Sequence, residues 1–350
     1  MSENNKITES ADERIPVARP PSRRICALVA GAALTAIPVA GLYLYVRVER
    51  ASNARDRAME RETDYDTAKL QQFDPALLRY HEVSRIETGI ASGRAIAIDR
   101  SGTLLLAGDR IVRFILPGGD RRDWSLSASP NAVFAAGDGS VYIAMKDHVE
   151  VFGIDGARKA VWPALGDGAY LTGIAIAGEH VYLADSGRRA IIHTDLAGHV
   201  LNEIGRADPS RGIPGLLLPS PYLGVAIAAD AGIWVNNAGR HRLENYAPDG
   251  TLERFWGTSG TSIGAFSGCC NPAAFSLLKD GSFITAEKGI PRVTHYLDDG
   301  RFDSVVAVPS SFAEGTSSLS LAIDPVGRVW VLERGTGTVH VFAPIGGGAT

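Results

Sequence analysis

Residues Ala169–Arg206, AYLTGIAIAGEHVYLADSGRRAIIHTDLAGHVLNEIGR, decide the fold. They divide into short strand-like runs, Gly173–Ala177, His180–Ala184, Ala190–Thr194 and Val200–Ile204. Between them, Gly178–Glu179, Asp185–Arg189 and Asp195–Gly198 supply turn and loop residues. Val181, Tyr182 and Leu183 suit a pleated, half-buried surface. Four such strands make an antiparallel meander, and a lone meander cannot bury both of its faces. Copies of the same unit are therefore expected on either side.

The rest of the chain supplies them. The centres of the second strands fall at Leu105, Tyr142, Tyr182, Trp234, Ile284 and Trp330, which by subtraction are 37, 40, 52, 50 and 46 residues apart. Third strands follow at Ile111–Ile115, His148–Phe152, Ala190–Thr194, Arg242–Tyr246, Arg292–Tyr296 and Thr338–Phe342. Four strands recurring every 40 to 50 residues or so predict propeller blades. The count gives an all-β, six-bladed β-propeller. The last unit ends at Ala343–Pro344 without a fourth strand, and Glu82–Glu87 (EVSRIE) precedes the first unit. That segment is expected to be the missing outer strand of blade six, closing the ring and covering an open sheet edge.

Leu183–Gly198, LADSGRRAIIHTDLAG, and its echo Val235–Gly250, VNNAGRHRLENYAPDG, resemble the NHL repeat. Gly268–Arg301, beginning GCCNPAAF, resembles membrane-anchored bacterial NHL-repeat proteins. The resemblance spans about residues 90–344 and implies a six-bladed propeller; it leaves the activity open, because one fold hosts many functions.

Upstream, residues 1–24 are polar and aperiodic, and read as a disordered tail. Ile25–Val46 carries no charge, and at about 1.5 Å per residue its 22 residues reach about 33 Å, enough for a bilayer. It is read as an uncleaved transmembrane anchor, the rival being a cleaved export signal. Residues 47–80 are rich in helix formers and read as a helical stalk, with Asp74 capping a short helix that starts at Pro75. The propeller is expected over 81–344, followed by a short tail, 345–350. Arg47, Arg50, Arg55, Arg57 and Arg61 follow the span, against Arg19, Arg23 and Arg24 before it. The positive-inside rule taken alone would keep the propeller in the cytoplasm. The resemblance and the short N-terminal tail point instead to a single-pass inner-membrane protein with a periplasmic propeller. A net charge of −4 gives no electrostatic case for nucleic-acid binding.

In a meander the loops between second and third strands share one face with the blade-to-blade connections. The longest connections, Gly205–Tyr222 and Gly257–Pro272, decorate that face, where binding is expected. Asp185, Asn237, Glu287 and Glu333 end second strands on the same face. They could ring a divalent cation such as calcium, as in the gluconolactonase-like and paraoxonase-like propellers that this chain resembles. Otherwise they bond to their own loops. Arg188, Arg240 and Lys288 stand beside them as candidate anion partners.

The most unusual local feature is the corner Cys269–Cys270–Asn271–Pro272. Adjacent cysteines lie about 3.8 Å apart at Cα, so a disulfide between them would be strained and would cross-link almost no chain. The corner is therefore expected to bind rather than to staple. No nucleophile elbow, phosphate loop or clustered metal motif occurs. The sequence thus points to a membrane-anchored binding or assembly scaffold, meeting a protein partner or small ligand on the propeller face. A metal-dependent lactonase- or lyase-like enzyme is the alternative.

Overall fold

A computed structural model describes residues 73–346. These residues form six four-stranded antiparallel sheets. Blade 1 runs from the axis outward as Gly93–Ile98, Leu104–Gly108, Ile111–Ile115 and Arg121–Ser125. Blade 2 is Ala132–Ala135, Val141–Ala144, Val149–Phe152 and Arg158–Val161. Blade 3 is Leu171–Ala177, His180–Asp185, Ala190–Asp195 and Val200–Ile204. Blade 4 is Val225–Ile227, Ile233–Asn237, Arg242–Tyr246 and Leu252–Trp256. Blade 5 is Ala274–Leu277, Phe283–Ala286, Val293–Tyr296 and Phe302–Ala307. The inner three strands of blade 6 are Leu319–Ile323, Val329–Glu333 and Thr338–Pro344.

The fourth strand of blade 6 comes from the other end of the propeller sequence. Tyr80–Glu87 pairs antiparallel with Thr338–Pro344, from Tyr80 opposite Pro344 to Glu87 opposite Thr338, with a bulge between Glu82 and Ser84. The closure expected from EVSRIE therefore forms, starting two residues earlier than that segment. His340 binds the seam across three strands: its Nδ1 meets Glu82 Oε1 at 3.0 Å and its Nε2 meets Glu333 Oε2 at 3.1 Å. Upstream of Tyr80, Asp74 caps a single 3₁₀ turn, Pro75–Leu77, by accepting from Ala76 N. Arg79 N then donates to Val305 O at 3.2 Å, so this short stretch lies on the propeller rather than in a helix. The tail, the transmembrane span and the stalk up to residue 72 lie outside the described residues, as do 347–350.

The period-two alternation of each strand builds the core between blades rather than within one. In blade 3, Val181 and Leu183 face blade 2 and pack with Tyr142, Val149 and Val151. Their neighbours Tyr182 and Ala184 face blade 4 and pack with Ile233, Val235 and Tyr246. A second strand buried on both faces is apolar over most of its length, which is why LLLAG and VYIA read as continuous runs. One apolar cluster fills each junction, including Leu104 and Leu106 of blade 1 against Trp330 and Leu332 of blade 6. The blade 4–5 junction is aromatic: Phe283 lies 4.7 Å from Trp234 and 4.9 Å from Trp256, ring centre to ring centre.

Candidate functional site

The innermost strands surround an axial cleft of about 520 Å³. Its mouth opens on the face that carries the long blade-to-blade connections. Arg94 enters it from the start of the inner strand of blade 1, and Arg334 from the residue after the second strand of blade 6. Tyr170 and Tyr222 line it from the approaches to blades 3 and 4. Arg94 Nη1 donates to Asn131 Oδ1 at 2.7 Å. Burial pushes the Arg334 pKa down; the other groups it senses are the Tyr222 and Tyr170 phenols and the Arg94 cation, with no carboxylate among them. A guanidinium stays charged even so. The mouth therefore holds two cations in one partly dry cleft without a counter-charge among the described residues.

The cysteine corner leads directly into the same cleft, whose lining begins at Ala273 and Ala274 just after it. Two anchors set the corner. Phe266 is fully buried in the aromatic junction, and Ser267 donates from its backbone N and its Oγ to Glu287 Oε2 at 3.1 and 2.9 Å. Asn271 joins the corner to the loop after the second strand of blade 5. Its Oδ1 accepts from Lys288 N at 2.8 Å, and its Nδ2 donates to Ser267 O and Lys288 O. The Asn271–Pro272 bond is cis. Cys269 is exposed and Cys270 buried; both are free thiols, with their sulfurs 3.1 Å apart. Cys270 Sγ also lies 3.4 Å from Ser220 Oγ, which accepts from Lys288 Nζ at 3.0 Å. Lys288 Nζ in turn stands 5.2 Å from the centre of the Tyr222 ring. Burial alone would push the Cys270 thiol up, but hydrogen bonds with Lys288, Ser220 and Cys269 outweigh it and bring its pKa below the ordinary thiol value.

Of the candidate site residues, the structure brings Cys269, Cys270, Asn271 and Lys288 together. Asn271 is 2% exposed and acts as a brace rather than as part of the open face. Arg188 and Arg240 go elsewhere: Arg188 donates to Leu165 O, and Arg240 to Pro214 O and Gly215 O. The four candidate metal ligands sit one per blade in blades 3 to 6, each engaged with its own surroundings. Asp185 Oδ1 accepts from Tyr170 N and Arg188 N, while its buried Oδ2 lacks a hydrogen bond. Asn237 accepts from Leu217 N and donates to Gly215 O and Glu244. Glu287 pairs with Arg292 and Ser267, and Glu333 accepts from Ala313 N, Thr316 and His340. Among the described residues no three His, Cys, Asp or Glu side chains converge as a metal centre. Arg94 and Arg334 are the functional candidates that sequence reading passes over. Their signal is a lone cation opening an apolar inner strand, GRAIAI, and another directly after VWVLE.

No family profile matches the chain, and no curated protein does. Solved structures do resemble it. A streptogramin B lyase superposes with a TM-score of 0.54 at 10% identity, over 77% of this chain and 100% of its own. A Bacteroides thetaiotaomicron protein of unknown function gives 0.55 at 14% identity, over 76% and 75%. A chain of the mitotic checkpoint complex gives 0.53 at 10% identity, over 78% and 98%. At such identities the likeness is one of fold. A lyase and a checkpoint assembly on one scaffold show that the fold does not choose between enzyme and binding partner.

Proposed function

We propose that the chain is a membrane-tethered binding module that holds an anionic group, carboxylate or phosphate, in the axial cleft. Ile25–Val46 would be the tether, and the propeller a rigid scaffold on the periplasmic side. The observation that carries the reading is the pair Arg94 and Arg334, which line one cleft with no carboxylate among the groups Arg334 senses. Like charges held together in a partly desolvated site destabilise the free protein, and an anion offsets that cost. Guanidinium groups match the geometry of carboxylate and phosphate oxygens, and Tyr170 and Tyr222 offer flat walls beside them. The cavity is of the size that takes a small molecule or the tip of a partner's side chain.

Calorimetric titration of the full-length chain with inorganic phosphate and with citrate, at fixed ionic strength, tests this. Saturable binding is expected, weakened about ten- to a hundredfold by Arg334→Gln, the worth of a charge-assisted hydrogen bond. Binding that Arg334→Gln leaves unchanged, or no saturable binding of either anion, would overturn the reading.

A further inference from the structure

The corner of blade 5 holds a chemistry that anion binding does not use. Cys269 and Cys270 are both reduced, 3.1 Å apart, one facing solvent and the other buried. The charged group facing them is Lys288, with Tyr222 behind it, and His241 Nε2 stands 2.6 Å from the carbonyl oxygen of Gly268, the residue before Cys269. Lys288 reaches Ser220, which touches Cys270, so the ammonium is aimed at the buried sulfur from one side. Exposed Cys269 closes the other. The backbone of the corner and that of Lys288 are fixed to each other through Asn271, so this arrangement does not depend on side-chain chance.

We propose that Cys269 and Cys270 form a thiol–disulfide exchange centre at the approach to the cleft, with Cys269 receiving a disulfide substrate and Cys270 resolving it beside Lys288. In the first step the Cys269 thiolate attacks one sulfur of R–S–S–R. A Cys269–S–R mixed disulfide forms, and the first RS⁻ leaves and takes up the proton that Cys269 lost. In the second step the Cys270 thiolate attacks Cys269 Sγ, forming the Cys269–Cys270 bond and expelling the second RS⁻, which is protonated in turn. The sum is dithiol plus disulfide to vicinal disulfide plus two thiols, with two electrons passing to the substrate.

Exposure orders the steps, because the fully buried Cys270 cannot meet a bulky substrate first. Thiolate character suits Cys270 to the second step: its pKa is drawn down, whereas the hydrogen bond with Cys270 pushes the Cys269 thiol up. The peptide between the two is not cis, so their Cα atoms are about 3.8 Å apart, short of the usual disulfide range. The oxidised pair would be strained, and a thiol would return it readily to the dithiol, which lets the centre cycle. The inference needs neither Arg94 nor Arg334 and stands apart from the anion reading.

The test uses glutathione disulfide as substrate, on the full-length chain carrying Cys26→Ala, followed by intact-protein mass spectrometry after acid quenching. The parent chain is expected to end as the internal disulfide with no glutathione attached. Cys270→Ser should stop at the Cys269 mixed disulfide, and Cys269→Ser should stay unmodified. Lys288→Met should let the mixed disulfide accumulate at neutral pH, because each unit of rise in the Cys270 pKa cuts its thiolate fraction about tenfold. Raising the pH should restore resolution in that variant, a response that a purely structural lysine would not give. Glutathione retained on Cys269 of the parent chain, or Cys269→Ser reacting as fast as the parent, would overturn the proposal. So would resolution in Lys288→Met with the pH profile of the parent.

Discussion

Two sets of polar side chains share one face of this propeller and differ in how they are used. The first set closes the second strands: Asp185, Asn237, Glu287 and Glu333, all buried and all hydrogen-bonded to their own surroundings. The second lines the cleft: Arg94 and Arg334, half-buried and without a carboxylate partner among the described residues. Side chains of the first set hold loops in place. In the second set, hydrogen-bonding capacity and charge remain for something outside the chain. Asp185 Oδ2 lacks a hydrogen bond but faces Arg188 Nε at 3.7 Å, so a polar residue on the functional face signals function by unpaired charge, not by where it stands.

The largest effect should come from removing the seam on which every blade depends. Deleting residues 1–90 takes away Tyr80–Glu87 and opens the ring, whereas deleting 1–72 leaves it paired. Thermal unfolding followed by circular dichroism should give a cooperative melt for the shorter deletion and a much lower or broadened one for the longer. Equal melts would contradict closure.

Next in size is Glu287→Ala. It strands Arg292, itself 6% exposed, as a buried charge without its partner and should cost about 3–5 kcal/mol in urea unfolding. If Glu287 instead served a ligand, stability would hold and binding would fail, and the division drawn above would break.

Glu333→Gln should cost about 1–3 kcal/mol at neutral pH, since it weakens a set of buried hydrogen bonds. Here pH sharpens the comparison. Burial raises the Glu333 pKa, but hydrogen bonds from Thr316, His340 and Ala313 N outweigh it, and the net shift is downward. A carboxylate with a depressed pKa contributes its full stability above the unfolded value, about 4.3. That contribution is lost as pH falls through the lower folded value. The gap between wild type and Glu333→Gln should therefore narrow below about pH 4. A gap that widens on acidification would contradict the assignment.

The smallest stability effect belongs to the cleft. Arg94→Gln and Arg334→Gln should each leave unfolding free energy unchanged or raise it slightly, by no more than about 0.5 kcal/mol, because neither guanidinium pairs with a carboxylate among the described residues and removing one relieves its repulsion of the other.

The same division explains what the sequence could and could not convey. Second strands were legible because burial on both faces makes them largely apolar runs, as in LLLAG and VYIA. Closure was legible because Thr338–Phe342 lacked an outer neighbour and EVSRIE had no other partner. Lys288 and the cysteine corner lie close in sequence and could be grouped by eye. Arg94 and Arg334 stand at opposite ends of the propeller sequence and meet only because the ring closes. The four acid and amide groups resembled a metal ring because sequence shows their common position. It does not show the backbone N–H groups and side chains of the long connections that occupy them, such as Leu217 N, Ala313 N and Ser267.

The most direct measurement is a paired one on Arg94→Gln with Arg334→Gln in the full-length chain: melting temperature, and affinity for the anion that wild type binds. The account predicts an unchanged or slightly raised melting temperature together with loss of saturable binding. A lowered melting temperature with wild-type affinity would contradict it, and would place these two cations among the side chains that hold the fold.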